Sequence, residues 1–200
     1  MFDARLRPLI DPPLNAAGHW LAARGASANA LTITGLLIGL AAAGAISLRA
    51  YGVALSLIIV NRILDGLDGA VARMRGPSDF GGYLDSLCDF AFYVAVPLGF
   101  AVATPSNALP AAILIASFTI TGVSFLAFAA IAAKRGLESS AHGKKSFFYS
   151  TGIAEGGETI AVFVLMGAFP QEFAVIAYAY AAVCVLTVAQ RSWMASASFK

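Results

Sequence analysis

Apolar runs long enough to cross a lipid bilayer recur along most of this chain, and they constrain its fold more than any other feature. A bilayer core about 30 Å thick takes about 20 residues of α-helix. The sequence meets that length six times: from about Asn29 to Leu48, Gly52 to Arg73, Phe80 to Val102, Leu109 to Ala133, Phe147 to Phe169 and Phe173 to Ala189. In lipid, every backbone N–H and C=O must find its partner inside the protein, which restricts spanning structures to helices and closed barrels. Of the 200 residues, 59% are hydrophobic and 12% charged, with mean hydropathy +0.79; soluble domains carry about a quarter charged residues. The predicted class is an all-α polytopic membrane protein with six transmembrane helices.

Residues 1–28 read differently. They mix Phe2, Leu6, Leu9, Leu14 and Trp20 with Arg5, Arg7, Asp11, His19 and Arg24. That mixture predicts an amphipathic juxtamembrane segment lying in the membrane interface, in helical pieces broken at Pro12-Pro13. Trp20 beside basic residues suits the interface. No apolar h-region follows Arg5 and Arg7, so a cleaved signal peptide is not expected. Residues 29–200 then form the transmembrane domain. Gly35 and Gly39 make a GxxxG pair that permits close helix contact. Cys88 and Cys184 lie in apolar runs without CxxC spacing and read as reduced core thiols. A net charge of +2 offers no bulk electrostatic reason for a nucleic-acid partner.

Six spans put both termini on one side of the bilayer. Of the 13 Lys and Arg residues, all but Arg49 and Arg62 then fall on that side. The positive-inside rule makes it cytoplasmic. The expectation is a multi-pass protein of the inner (cytoplasmic) membrane, its termini facing the cytoplasm; a homodimer is expected.

Against this apolar background stand four aspartates. Asp65 and Asp68 are three apart, Asp85 and Asp89 four apart, spacings that put each pair on one helix face. An ionisable group inside a span costs roughly 2.5–3.5 kcal/mol on insertion scales, so it marks function by default. Acids this close repel one another unless a cation sits among them. An all-oxygen cluster suits a hard divalent ion, Mg²⁺ or Mn²⁺. Gly66, Gly69, Ala72 and Gly81 leave room beside the carboxylates, Arg73 is placed to pair with a phosphate, and Arg62 is placed to neutralise Asp65. Together they suggest a pyrophosphate-bearing substrate held through a divalent ion. There is no Walker-type loop, which argues against a nucleoside triphosphatase. No Ser-His or Cys-His arrangement points to a covalent intermediate. Two other readings compete: an ion or proton transporter with a carboxylate relay, and an assembly protein whose acids only form salt bridges. Four acids near one membrane face, rather than at mid-depth in paired half-helices, argue against a transporter.

The pattern Asp65-x-x-Asp68-Gly69-x-x-Ala72-Arg73, followed by Gly81-x-x-x-Asp85-x-x-x-Asp89, resembles the signature of the CDP-alcohol phosphatidyltransferases. The resemblance extends to six spans and to Asn29-x-x-Thr32 at the start of the first. The segment between Arg73 and Gly81 is shorter than the family's usual one, and the Gly76-Pro77 turn is expected to absorb the difference. The resemblance implies transfer of a phosphatidyl group from CDP-diacylglycerol to an alcohol, with release of CMP. Carried over by position, it makes Asp65, Asp68 and Asp85 metal ligands and Asp89 the general base, itself near the metal. It places Asn29, Thr32, Gly69, Ala72, Arg73 and Gly81 around the CDP moiety.

The acceptor is less constrained. Lys134, Arg135, His142, Lys144 and Lys145 cluster between the fourth and fifth spans, and Arg191 ends the sixth. Part of this charge is positive-inside decoration. The topology nevertheless brings it to the face that carries Asp89, which suits an acceptor with a phosphate. Arg135, Lys144, Lys145 and Arg191 are the candidate acceptor-binding residues. Glycerol 3-phosphate is expected first, an inositol phosphate second. Glu155 and Glu158 flank Gly156-Gly157 and are candidates for hydrogen bonds to a polyol.

Overall fold

The computed structural model describes residues 2–136 and 152–199. Its elements are α1 (Phe2–Ala23), α2 (Ala28–Ser47), α3 (Tyr51–Arg75), α4 (Asp79–Ala103), α5 (Ala108–Lys134), α6 (Gly156–Ala168) and α7 (Phe173–Ser198), with single 3-10 turns at Pro105–Asn107 and Pro170–Glu172. The protein is an all-α polytopic membrane protein, as the apolar runs predict. Helices α2, α4, α5 and α7 are long and apolar enough to span a bilayer by length and composition alone. Helix α3 is as long as α4, at 25 residues, but carries the charges of the site. Leu37, Val102, Leu109, Val123 and Val175 are more than half exposed and face where lipid would be.

The helices form two groups. In one, α2 packs on both α3 and α4, and α1 lies along α3; in the other, α5 packs on α7. Helix α4 joins the groups through α5, and α6 packs on α3. The predicted GxxxG contact is made largely by Gly39. A Cβ there would sit 2.6 Å from Cδ2 of Phe92, so only glycine lets α2 and α4 approach this closely. Between the groups, Phe92, Tyr93, Phe118, Phe163 and Tyr180 interlock, mostly edge to face, with centroids 5.6–6.3 Å apart. This aromatic layer is the floor beneath the acids. Deeper still, Phe100 stacks on Phe173 at 4.4 Å.

Three local features differ from the sequence expectation. Helix α1 is continuous through Pro12-Pro13 rather than broken there. Its docking on α3 accounts for this: Leu14 lies against Gly66, Gly18 against Ala70, and Asn15 Oδ1 accepts from Arg73 Nη2 at 2.9 Å. Tertiary contact thus offsets the backbone bonds the prolines cannot make. The fifth helix begins at Gly156, not near Phe147; residues 147–151 lie outside the described part, but Gly152–Glu155 is not helical. Glu155 Oε1 accepts from the Gly152 N–H at 3.0 Å, and Thr187 Oγ1 accepts from the Ala154 N–H at 2.9 Å, which folds this segment across α7. Helix α7 runs on to Ser198, beyond the expected Ala189.

The turn between α3 and α4 matters most for function. Gly76 ends α3 at φ +97°, where a side chain would be strained, and Pro77 prevents continuation. Ser78 then caps α4, its hydroxyl accepting from the Gly81 N–H at 3.0 Å. At the opposite end, Arg49 donates twice to the Ala103 carbonyl, at 3.1 and 2.7 Å, and ties the α2–α3 turn to the end of α4. Gly39→Leu is expected to destabilise the fold by about 1–3 kcal/mol through overpacking against Phe92. Thermal unfolding in detergent should show a midpoint several degrees lower; an unchanged midpoint would contradict the close α2–α4 contact.

Candidate active site

The short turn makes α3 and α4 antiparallel neighbours, so the acid pair late in α3 meets the pair early in α4. Carboxylate oxygens of Asp65, Asp85 and Asp89 all lie within 4.8 Å of one another. Asp85 is exposed, and Asp65 and Asp89 are half-buried. Asp68 is buried beside them and accepts from the Thr32 hydroxyl of α2 at 2.6 Å. All four acids line one small recess together with Thr32, Asn61 and Cys88. Arg62, one turn before Asp65, makes an ion pair with it at 2.7 Å. Asn61 Nδ2 donates to the Gly35 carbonyl at 2.8 Å and fixes α2 against the acid-bearing turn of α3. Three converging carboxylates form a hard, all-oxygen donor set, which fits Mg²⁺ or Mn²⁺.

The recess opens into a cavity of about 740 Å³ between the two helix groups. Asn29, Thr32, Gly69, Ala72, Arg73 and Gly81, the residues expected around CDP, all line it on the side of α2, α3 and α4. Gly81 abuts Ser78 and Asn29: a Cβ there would meet Ser78 Oγ at 3.0 Å and Asn29 Oδ1 at 3.3 Å. Arg75, beyond Arg73, donates to the carbonyls of Gly25 and Ala26 at 3.2 and 2.9 Å and holds the start of α2 to the end of α3.

The opposite side of the same cavity belongs to α5, α6 and α7. Arg191 lines it and is only 5% exposed. Its Nη1 donates to the Thr121 carbonyl at 3.0 Å and to Ser124 Oγ at 3.1 Å, and its guanidinium lies 5.4 Å from the Phe125 ring centre. Arg191 thus joins the acids in one cavity, as expected. Arg135 does not. Its Nη2 donates to the Phe199 carbonyl at 2.7 Å and its guanidinium sits over the Phe199 ring, so it ties the end of α5 to the end of α7 rather than lining the cavity. Lys144 and Lys145 lie outside the described residues.

Two cavity residues, Tyr93 and Thr159, and Tyr180 packed behind Thr159 were not foreseen from the sequence. Tyr93 follows Asp89 by one turn of α4, and a Cβ on Gly156 would come within 3.2 Å of its hydroxyl. Thr159 Oγ1 and the Tyr180 hydroxyl share a hydrogen bond of 2.9 Å. The i, i+4 step from Asp89 was a usable signal for Tyr93; Thr159 and Tyr180, 21 positions apart, offered none. Glu155 and Glu158 open α6, with Glu155 on the cavity wall.

Comparison with known proteins bears on the family and the fold. The inner membrane protein YnjF of Escherichia coli is 44% identical over 194 residues, which covers 96% of this chain and 94% of that protein. The archaetidylinositol phosphate synthase of Pyrococcus horikoshii is 39% identical over 100 residues, half of this chain and 53% of that one. Crystal structures of Mycobacterium tuberculosis phosphatidylinositol phosphate synthase share the fold at 23% identity and a TM-score of 0.66. One, with CDP-DAG bound, covers 89% of this chain and 90% of its own; another, in complex with manganese and citrate, covers 89% and 86%. The sequence profile of the CDP-alcohol phosphatidyltransferases matches residues 26–190, and the chain belongs to that enzyme family.

Proposed function

We propose that this enzyme transfers the phosphatidyl group of CDP-diacylglycerol to a phosphorylated polyol and releases CMP. The observation that carries the acceptor assignment is the buried Arg191, fixed by Thr121 and Ser124 on the wall that faces the aspartates across one cavity. A buried guanidinium aimed at a polar cavity suits a phosphate, which it can hold by charge-assisted bonds. The hydroxyls of Tyr93 and Thr159 and the Glu155 carboxylate line the same cavity, where they suit the neutral hydroxyls of a polyol. The names of the archaeal and mycobacterial relatives both specify inositol phosphate products, so an inositol phosphate stands ahead of glycerol 3-phosphate as acceptor.

In this reading Asp65, Asp68, Asp85 and Asp89 hold Mg²⁺ or Mn²⁺, which would neutralise charge on the diphosphate and on departing CMP. Arg73, with Asn29, Thr32, Gly69, Ala72 and Gly81, orients the CDP moiety. Asp89 takes the proton of the acceptor hydroxyl. The acceptor oxygen bonds to the lipid-linked phosphorus as the bond from that phosphorus to CMP breaks. Attack is direct, since among the described residues no nucleophile with a paired base lines the cavity. Residues 1–28 serve as the juxtamembrane segment and 29–200 as the catalytic domain. The enzyme sits in the cytoplasmic membrane as a homodimer, with its termini and active site on the cytoplasmic face; the naming of the Escherichia coli relative as an inner membrane protein supports the membrane assignment.

Asp65→Asn and Asp85→Asn are expected to abolish Mg²⁺- or Mn²⁺-dependent CMP release, and full turnover in excess EDTA would refute the metal role. Asp89→Asn should lose kcat while it retains CDP-lipid binding; near wild-type kcat would remove Asp89 as base. Arg191→Lys should raise the acceptor KM by about tenfold or more with a smaller effect on kcat, since a charge-assisted contact is worth roughly 1.5–3 kcal/mol. An unchanged KM would contradict the phosphate assignment. A cysteine placed at Asn107 should react with a membrane-impermeant thiol reagent from outside the cell; protection there with labelling from the cytoplasm would invert the topology.

A further inference from the structure

We propose that Arg62 is a displaceable counter-ion: its guanidinium occupies the Asp65 carboxylate in the metal-free protein and yields it when a divalent cation binds. The inference rests on the reading of Asp65 as a metal ligand. Arg62 Nη2 lies 2.7 Å from Asp65 Oδ2, and a carboxylate oxygen of the same Asp65 converges with those of Asp85 and Asp89 within 4.8 Å. A cation coordinated by that carboxylate and a guanidinium bonded to it would stand within a few ångströms of each other, and like charges at that range repel strongly in a partly desolvated site. Arginine cannot relieve this by losing its proton. Displacement relieves this, and there is space for it: the Arg62 side chain is 39% exposed and lines the large cavity. The other arginines around the cavity are placed differently. Arg73 donates to Asn15 Oδ1, Arg75 to the Gly25 and Ala26 carbonyls, and Arg191 to the Thr121 carbonyl and Ser124 Oγ. Arg62 instead sits on a member of the carboxylate triangle. Without a metal, its charge relieves the repulsion among Asp65, Asp85 and Asp89 and keeps α3 and α4 together. With a metal, that service passes to the ion, and the cation released into the cavity adds to its attraction for anionic substrate.

The test is Mn²⁺ binding to the full chain in detergent micelles, read from the electron paramagnetic resonance signal of free Mn²⁺. Arg62→Met removes the competing charge at similar length and should tighten the Mn²⁺ Kd by about tenfold or more. Arg62→Lys keeps the charge and should stay within about threefold of wild type. Equal or weaker binding by Arg62→Met overturns the inference while leaving the metal site intact; no Mn²⁺ binding by the wild type overturns both. A second measurement needs no variant. Phenylglyoxal modification of Arg62 in the wild-type protein, followed by peptide mass spectrometry, should become severalfold faster when Mn²⁺ is added. An unchanged or slower rate means that Arg62 is not displaced.

Discussion

Mutual repulsion among carboxylates in a partly desolvated site is the constraint on which the rest of this structure depends. Asp65, Asp85 and Asp89 converge within 4.8 Å, with Asp68 buried at their side. Left to themselves, such charges would drive α3 and α4 apart. Several features oppose that separation. The three-residue turn from Gly76 to Ser78 leaves the helices no freedom to splay near the acids. Helix α2 packs on both, admitted to close range by Gly39 and fixed by Asn61. Asp68 is engaged by the Thr32 hydroxyl and Asp65 by the Arg62 guanidinium. Small residues around the acids are thus also a packing solution: Gly39 admits α2 to α4, and Gly66 admits α1 to α3, close enough to hold the charged side chains in place.

The two helix groups divide the chemistry. Helices α2, α3 and α4 supply the acids and the wall proposed for CDP; α5, α6 and α7 supply the buried Arg191 and the Thr159 hydroxyl on the facing wall. The signature lies wholly in the first group. That is why family membership follows readily from residues 65–89 while the acceptor does not. In the proposed reading, the residues that face the acceptor come from helices remote in sequence from the carboxylate cluster.

The same division governs how much was legible in the sequence. Hydropathy gave the all-α membrane class, because lipid leaves the backbone few alternatives. Helical spacing placed the four acids on facing surfaces, because only a short turn separates them. What sequence alone could not decide was burial. Arg135 and Arg191 look alike as basic residues near span ends, yet one binds backbone carbonyls at the end of α7 and the other is sealed into the cavity wall. The continuity of α1 through Pro12-Pro13 was hidden for a related reason: local propensity predicts a break, and docking of Leu14, Asn15 and Gly18 on α3 overrides it. The Thr159–Tyr180 hydrogen bond depends on how α6 meets α7, which no local pattern reports.

The central claim is that one cavity brings a phosphorylated polyol to the carboxylate cluster. The most direct measurement is CMP release by the purified protein from CDP-diacylglycerol, with Mn²⁺ present, across inositol 1-phosphate, glycerol 3-phosphate, free inositol, free glycerol and serine. The account predicts turnover with a phosphorylated polyol and little with its unphosphorylated counterpart. Turnover with serine or free inositol, and none with either phosphorylated polyol, would contradict it.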